Sequence, residues 1–304
     1  MTTVNVFAPA KINLTLHVTG RRADGYHELD SLVSFADVGD RLVIDASEKL
    51  SLTVEGPEAQ DTPADLDNLA LQATTLIANG RGARMTLEKI LPIASGIGGG
   101  SADAAAAFRG MLVLNGEGEE IADSLSATPN TVPETHIRAL LNLGADVPMC
   151  LFSKPTRVQG IGERLTPCQL PPVHALLANP RVPLSTAMVF RALGEPDNPP
   201  MPADIPRFAN AAALIDWLAN CRNDLEFPAR SLVPEIDEVL AALNGLGRAV
   251  LARMSGSGAT CFALFGDKDD AQEAETRLRS ERPDWWVVRT VLGDQSGAIA
   301  PRIS

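Results

Sequence analysis

Aromatic side chains are scarce in this sequence, which has one tyrosine, three tryptophans and nine phenylalanines among 304 residues. The core must therefore be built mainly from Leu, Val, Ile and Ala. Basic residues are also few: 26 stand against 38 acidic ones, and the formal net charge is −12. Such a charge argues against binding to a nucleic-acid backbone or to an anionic membrane surface, so neither is expected as a partner.

The sequence also lacks paired cysteines and long apolar runs. No run approaches the roughly 18 residues that a membrane span needs, and the first residues show no basic stretch followed by an apolar one. Without a CxxC pair, neither a metal knuckle nor a disulfide framework is expected. We expect a cytoplasmic protein with reduced, mostly buried thiols at the four widely spaced cysteines, Cys150, Cys168, Cys221 and Cys261.

Glycine is plentiful and concentrated at one place, where Gly96, Gly98, Gly99 and Gly100 lead into Ser101 and an alanine-rich run. Glycine tolerates positive φ and lets a ligand approach bare backbone. A helix N-terminus adds free N–H groups and a partial positive charge. Together they predict an anion site, typically for phosphate. A flexible linker is the alternative, but an apolar strand before the glycines and an apolar helix after them argue against it.

The two familiar phosphate loops do not fit this segment. A Walker loop ends in Gly-Lys-Ser/Thr, whereas Gly100 is followed by Ser-Ala-Asp. The dinucleotide fingerprint needs Gly or Ala at the position of Ser101, and an acidic residue that closes a second strand about 20 residues later. Residues 117–120 are polar and follow no strand-like run. A nicotinamide enzyme is therefore disfavoured.

The order of apolar patterns predicts two α+β domains, 1–168 and 169–304, with the seam near residues 165–180. Residues 116–133 are predicted as a surface excursion and 293–304 as a loose tail. Strands are predicted over residues 11–18, 29–35, 41–46, 50–54, 83–91, 173–179, 248–254, 260–265 and 285–292. Helices are predicted over residues 67–79, 102–114, 135–143, 185–193, 209–219, 234–246 and 269–282.

Three further segments stand out. A second glycine loop at residues 254–260 lies between two apolar strands, and taken alone a hairpin turn explains it. Residues 8–14 place Lys11 and Asn13 on the same side of a strand. Residues 144–148 set Asp146 among apolar neighbours, where a buried acid is rare unless it is paired.

Three segments resemble, in this order, the three signature motifs of the GHMP kinase superfamily. They are Pro-Ala-Lys-Ile-Asn-Leu, the Pro92–Ala102 loop and Ser-Gly-Ser-Gly-Ala. The resemblance runs from about residue 8 to residue 265. It departs from the usual pattern at Ile97, where Leu is common, and at Ala102, where a second Ser is common. It implies an α+β, two-domain GHMP kinase fold, with a ribosomal protein S5 domain 2-like N-terminal domain and a ferredoxin-like C-terminal domain.

The segments 25–29, 143–148 and 223–226 narrow the resemblance to members whose small-molecule substrate carries a cytidine diphosphate moiety. The resemblance implies that Asp146 is the base for a tertiary hydroxyl. It implies that Lys11 keeps this acid ionised and offsets developing charge, while Asn13 orients the substrate hydroxyls. The alternative for Lys11 and Asp146 is a structural salt bridge.

The resemblance further implies ATP as phosphoryl donor. Because no dedicated carboxylate cage is evident, Mg²⁺ is expected to arrive with ATP, and Ser101 can reach it. Gly256 and Gly258 are expected to let the second glycine loop approach the substrate. The residues expected at the nucleotide are Pro92, Gly96, Gly98, Gly99, Gly100, Ser101, Ala102, Asn68 and Lys89.

The resemblance implies that the cytosine ring stacks on Tyr26, is hydrogen-bonded by His27 and is covered on its other face by Phe190. The alternative is a Tyr-His pair that caps a hairpin, with Phe190 in the core. A mevalonate or homoserine kinase needs no such clamp. A catalytically silent sensor on the same fold is expected to lack Lys11 or Asp146, and both are present. No heptads or obvious apolar patch can be read, which leaves the oligomeric state open; a monomer or weak homodimer is expected.

Overall fold

The computed structural model describes residues 2–117 and 132–304, and its described strands form one mixed sheet. The main path of this sheet is β11-β1-β2-β10-β7-β9-β8, with β3–β4 and β5–β6 attached at β2. The strands are β1 (Thr3–Arg21), β2 (His27–Ser47), β3 (Ser51–Glu55), β4 (Gly82–Glu88), β5 (Thr156–Gly160), β6 (Arg164–Pro167), β7 (Val173–Asn179), β8 (Leu251–Met254), β9 (Cys261–Phe265), β10 (Trp286–Gly293) and β11 (Arg302–Ile303).

Short helices cover the sheet and connect its strands. They are α1 (Leu69–Thr75), α2 (Gly99–Leu114), α3 (Glu134–Leu143), α4 (Val147–Phe152), α5 (Thr186–Ala192), α6 (Ala211–Leu218), α7 (Glu226–Leu232), α8 (Glu235–Asn244) and α9 (Lys268–Glu281). None of the helices among the described residues has the length and apolarity needed to cross a membrane.

The long antiparallel hairpin of β1 and β2 is the spine of the fold. Its register shifts at three places along β1, and such irregularities bend a strand and re-aim its side chains. The sequence predicted two separate runs, 29–35 and 41–46, but β2 is one strand. The polar stretch between them stays extended because it pairs with β1, where a Cβ on Gly39 would lie 2.1 Å from the Ala8 carbonyl oxygen.

Helix α2 packs directly on this hairpin. Its alanines are buried, and a Cβ on Gly110 would lie 2.4 Å from Ile44 Cδ1, so small residues let the helix approach the sheet closely. This core holds the N-terminal end of α2, with its glycine loop, above the sheet.

The second half of the chain forms an antiparallel four-stranded unit of β10, β7, β9 and β8, with α8 and α9 packed on it. It joins the first half where β10 pairs with β2, at Leu292–Ala36 and Gly293–Phe35. The domain limits 1–168 and 169–304 stay a prediction, since the sheet runs through both halves.

The predicted elements are largely present, and the misses are short ones. The pattern did not predict α4, α7, β5 and β6, which have four to seven residues each. The tail predicted as loose contributes β11, which pairs with β1 at Val4 and Asn5. A two-residue strand carries no periodicity, so only its distant partner defines it. Most of the predicted excursion at residues 116–133 lies outside the described residues.

Candidate active site

A large cavity of about 1370 Å³ opens beside the glycine loop. It is lined by every residue that the sequence analysis assigned to catalysis or binding, apart from Ala102 and Gly258. The Ala102 amide donates to the Gly98 carbonyl at 2.8 Å, so it serves the helix. A Cβ on Gly258 would meet Met254 Sδ at 2.7 Å, which places this glycine behind the cavity wall.

Lys11 and Asp146 form an ion pair at the cavity floor. The Lys11 Nζ lies 2.9 Å from Asp146 Oδ2 and donates to Asn13 Oδ1 at 2.8 Å. The lysine side chain is 6% exposed, whereas that of Asp146 is 37% exposed. The expectation of a buried acid is therefore wrong: Asp146 precedes helix α4 and one side of its carboxylate faces the cavity. A carboxylate that is paired and still open can accept a proton from a ligand.

Asn13 is fixed by two serines that the sequence analysis did not identify. Its Nδ2 donates to Ser31 Oγ at 2.8 Å, and its backbone N–H donates to Ser255 Oγ at 3.1 Å. These contacts leave Oδ1 turned toward Lys11. Ser31 and Ser255 lie 18 and 242 residues away in sequence, so no local pattern could have indicated them.

The glycine loop places the open start of a helix in the cavity wall. Gly98 precedes α2 in the left-handed conformation, with φ of 67°, and no side chain caps the helix. Amides of the first turn have no partner within the helix, so those next to the cavity can bind an anion. A Cβ on Gly98 would lie 3.0 Å from Lys11 Cε, so a larger residue would require the lysine side chain to shift.

The second glycine loop supports the first. A Cβ on Gly96 would lie 2.6 Å from both the Gly258 nitrogen and the Ser255 oxygen. The Thr260 amide donates to the Ser95 carbonyl at 3.1 Å, and Ser255 Oγ donates to the Gly96 carbonyl at 3.2 Å. The hairpin turn that explained residues 254–260 in isolation is thus also a backbone platform for the first loop.

Lys89 lies in a buried network beneath the helix start. Its Nζ is 2.6 Å from Asp40 Oδ2 and 2.9 Å from Asp103 Oδ2. The other oxygen of Asp40 accepts from the backbone N–H groups of Ile90 and Leu91, at 2.6 and 2.9 Å. The network therefore holds the end of β4 against α2. Asp40 and Asp103 are functional candidates that the sequence analysis missed.

Asp103 is the weakly satisfied member of this network. Its Oδ1 is buried and has no hydrogen-bond partner among the described residues. Burial raises the pKa of Asp103 to about 8; the nearby Lys89 opposes this rise, and the Asp40 carboxylate adds to it. Asp103 therefore holds a proton at pH values where an ordinary Asp has lost it.

This pKa predicts how Asp103→Asn changes the pH dependence of stability. Between the ordinary value of 3.8 and about 8, the folded wild type binds more protons than the unfolded chain, so its stability falls as pH rises. The asparagine variant lacks this titration, so its Tm is expected to fall less from about pH 5 to about pH 8. Thermal unfolding across this range measures both proteins, with Asp67→Asn as an exposed control. Parallel Tm curves for Asp103→Asn and wild type would contradict the prediction.

The far end of the cavity is aromatic. The His27 ring stacks on Phe190, with ring centroids 4.9 Å apart and an interplanar angle of 22°, while Tyr26 is 62% exposed beside them. Burial, with Arg21 as a second cause, lowers the pKa of His27, so the ring is neutral at neutral pH. Phe190 lies against His27 and lines the cavity, and its expected place on the other face of the cytosine stays a prediction.

Asn68 lies at the start of helix α1 and lines the cavity. Asn68 caps α1: its Oδ1 accepts from the Ala70 amide at 2.9 Å and its Nδ2 donates to the Pro63 carbonyl at 2.7 Å. Its amide therefore shapes the cavity wall. The described part of the chain holds no group of three or more His, Cys, Asp or Glu side chains that could bind a metal ion.

Two family models match the chain. The model of the GHMP kinases N terminal domain matches residues 68–154, which include the first glycine loop and Asp146. The model of the GHMP kinases C terminal region matches residues 205–284, which include the second glycine loop. Fold and site thus define a GHMP-type kinase, a class that acts on small molecules.

Relatives of known name make the assignment more specific. The 4-diphosphocytidyl-2-C-methyl-D-erythritol kinase of Roseobacter denitrificans is 50% identical over 99% of this chain and 97% of its own length. That of Dinoroseobacter shibae is 54% identical over 94% of both chains. The chain belongs to the 4-diphosphocytidyl-2-C-methyl-D-erythritol kinase family.

Solved structures agree with this assignment. A crystal structure of 4-(cytidine 5'-diphospho)-2C-methyl-D-erythritol kinase has a TM-score of 0.73 and 33% identity, covering 95% of this chain and 99% of its own. A homoserine kinase from Cytophaga hutchinsonii has a TM-score of 0.67 at 20% identity, covering 99% and 97% of the two chains. The second likeness shows a shared fold only. The predicted GHMP kinase fold and small-molecule kinase class are confirmed.

Proposed function

We propose that this chain transfers the γ-phosphoryl group of ATP to the 2-hydroxyl of 4-diphosphocytidyl-2-C-methyl-D-erythritol, giving ADP and the 2-phosphate. The reaction belongs to the methylerythritol phosphate route to isopentenyl diphosphate and terpenoids. One observation carries the proposal: the Lys11–Asp146 pair faces the uncapped start of α2. A Cβ on Gly98 would lie 3.0 Å from Lys11 Cε and 3.8 Å from Asp146 Oδ2. An acid, a cation and an anion site therefore meet at one point.

In the proposed reaction the oxygen of the substrate hydroxyl attacks the γ-phosphorus and ADP leaves. Asp146 accepts the proton of that hydroxyl. A tertiary alcohol is a weak nucleophile, so a positioned base is useful. The Lys11 ammonium lies 2.9 Å from Asp146 Oδ2 and offsets the negative charge that develops on the transferring oxygens. Asn13, held by Ser31, accepts a hydrogen bond from Lys11 and fixes the direction of the ammonium.

The ATP phosphates are proposed to bind the amides of Gly98 to Ser101. Gly98 has the positive φ that exposes these amides, and the helix start favours negative charge. The residues present fit a nucleotide that carries its own Mg²⁺, because Ser101 lines the cavity and no carboxylate cage is found among the described residues. Mg²⁺, when bound with the nucleotide, would lie within reach of Ser101 and would neutralise charge on the phosphates. Pro92, Asn68 and Lys89 line the nucleotide side of the same cavity.

The cytosine is proposed to bind at the aromatic end of the cavity, against Tyr26, with His27 as its hydrogen-bond partner. The exposed ring of Tyr26 has a free face, and base–aromatic stacking is worth about 1–3 kcal/mol. A neutral His27 offers one donor and one acceptor, which suits the polar edge of a neutral base. Phe190 supports the His27 ring and lines the same cavity.

An acceptor panel tests the proposed function. ADP release is measured with Mg·ATP and 4-diphosphocytidyl-2-C-methyl-D-erythritol, mevalonate, homoserine or galactose. Turnover is expected only with the cytidyl compound, because only that compound uses the aromatic end. Turnover with another acceptor would keep the Lys11–Asp146 chemistry but remove the cytosine assignment. No turnover with any acceptor would favour a sensor. A monomer or weak homodimer and a cytoplasmic location stay predictions.

A further inference from the structure

Four basic side chains line the cavity: Lys11, Arg21, Lys89 and Arg191. The two inner ones are neutralised, since Lys11 pairs with Asp146, and Lys89 pairs with two buried aspartates. Within the described ranges neither Arg21 nor Arg191 has a carboxylate within 4.0 Å. The chain has a formal net charge of −12, so two unpaired guanidinium groups at one cavity indicate a site for an anionic ligand.

Both arginines lie at the aromatic end of the cavity. Arg21 is paired with His27 across the β1–β2 hairpin. Arg191 directly follows Phe190 on α5, and the Phe190 ring stacks on His27. The Nε of Arg191 donates to the Ala187 carbonyl at 3.2 Å, which steadies the side chain and leaves its two terminal nitrogens available. The two guanidinium groups thus flank the proposed cytosine site.

The chemistry of this position follows from the proposed function, on which the inference rests. The substrate joins cytidine to methylerythritol through a diphosphate, so an anionic group must lie between the base and Asp146. Guanidinium groups bind phosphate oxygens through paired, charge-assisted hydrogen bonds. We propose that Arg21 and Arg191 bind the diphosphate of the cytidyl substrate and favour it over an unphosphorylated nucleoside.

Neither arginine has to break an ion pair in order to bind this ligand. The neighbouring Arg22 differs: its Nε lies 3.2 Å from Asp24, its Nη1 lies 3.8 Å from Glu28, and it does not line the cavity. Arg21 and Arg22 are therefore a matched pair at the end of β1. They carry the same side chain at adjacent positions, but only Arg22 is paired with carboxylates. Only Arg21 is expected to contribute to phosphate binding.

Binding titrations of cytidine, CMP and CDP test the proposal, with a non-hydrolysable ATP analogue occupying the glycine loop. For the wild type, affinity is expected to rise with each phosphate. Arg21→Gln and Arg191→Gln are each expected to weaken CDP by about tenfold and leave cytidine unchanged. The KM for the cytidyl substrate should rise in parallel, with the KM for ATP unchanged. Arg22→Gln should match the wild type, and Tyr26→Ala should weaken all three ligands by the same factor.

The outcomes distinguish failure of the diphosphate assignment from failure of the proposed function. If CDP and cytidine bind the wild type and the arginine variants alike, the diphosphate assignment is overturned while the proposed function stands. If an arginine variant weakens cytidine as much as CDP, that arginine shapes the site and does not bind phosphate. If the wild type binds neither cytidine nor CDP and turns over no cytidyl substrate, the proposed function fails and this inference fails with it.

Discussion

Replacing Asp146 with asparagine is expected to lower kcat by about 10²–10⁴-fold, the usual contribution of a positioned general base. The amide keeps the shape of the carboxylate but cannot accept the hydroxyl proton. The KM for ATP should stay near the wild-type value, because the helix start proposed to hold the phosphates is built by Gly98 and its neighbours. Steady-state ADP release at varied ATP and acceptor concentrations measures both constants.

Asp67→Asn is the matched control for this variant. Asp67 lines the same cavity, and its side chain has no ion pair among the described residues, so the loss of its charge should leave kcat unchanged. An Asp146→Asn enzyme that lost ATP binding as severely as turnover would show that the ion pair with Lys11 is structural.

Gly96→Ala is expected to lower the free energy of unfolding by about 3 kcal/mol. Gly96 has a φ of 76°, which is strained for any residue with a Cβ, and the added carbon would lie 2.6 Å from backbone atoms of the second glycine loop. Backbone atoms on both sides cannot yield without moving a strand end. Chemical denaturation of the variant and the wild type gives the difference.

Gly100→Ala provides the internal comparison for the stability measurement. Gly100 lies inside α2 with ordinary helical φ, and a Cβ there would be 3.6 Å from Leu69 Cδ1, an ordinary contact. Alanine is the better helix former by about 1 kcal/mol, so this variant should be as stable as the wild type or slightly more stable. Equal destabilisation of both variants would mean that the contact between the two loops is unimportant.

The parts of the site that could be predicted from the sequence are those encoded in short segments. A glycine run before an alanine-rich helix sets its own backbone conformation and leaves its own amides exposed. Gly96 to Ser101 could therefore be identified without knowing which distant residues contact them. Lys11 and Asn13 are two residues apart on one strand, which puts them on one face. The structure confirms that they lie together and line the cavity.

The missed parts depend on contacts between distant segments. Asp40 lies in a stretch that looks like a break between strands, and its role is visible only where Lys89, 49 residues away, reaches it. The same holds for β2, whose polar centre is extended because β1 pairs with it. The stacking of His27 on Phe190 joins positions 163 residues apart and could not be read from either segment alone.

The contact between the two glycine loops also makes ligand binding a property of the whole fold. The Thr260 amide and the Ser255 hydroxyl support Ser95 and Gly96 through hydrogen bonds. A nucleotide that binds the first loop therefore opposes any local opening that withdraws the second. If ATP binds the first loop as proposed, amide hydrogen exchange in β8 and β9 should slow when ATP is added, although no residue of either strand lines the cavity. The resistance of the C-terminal half to unfolding would then help this chain to retain ATP.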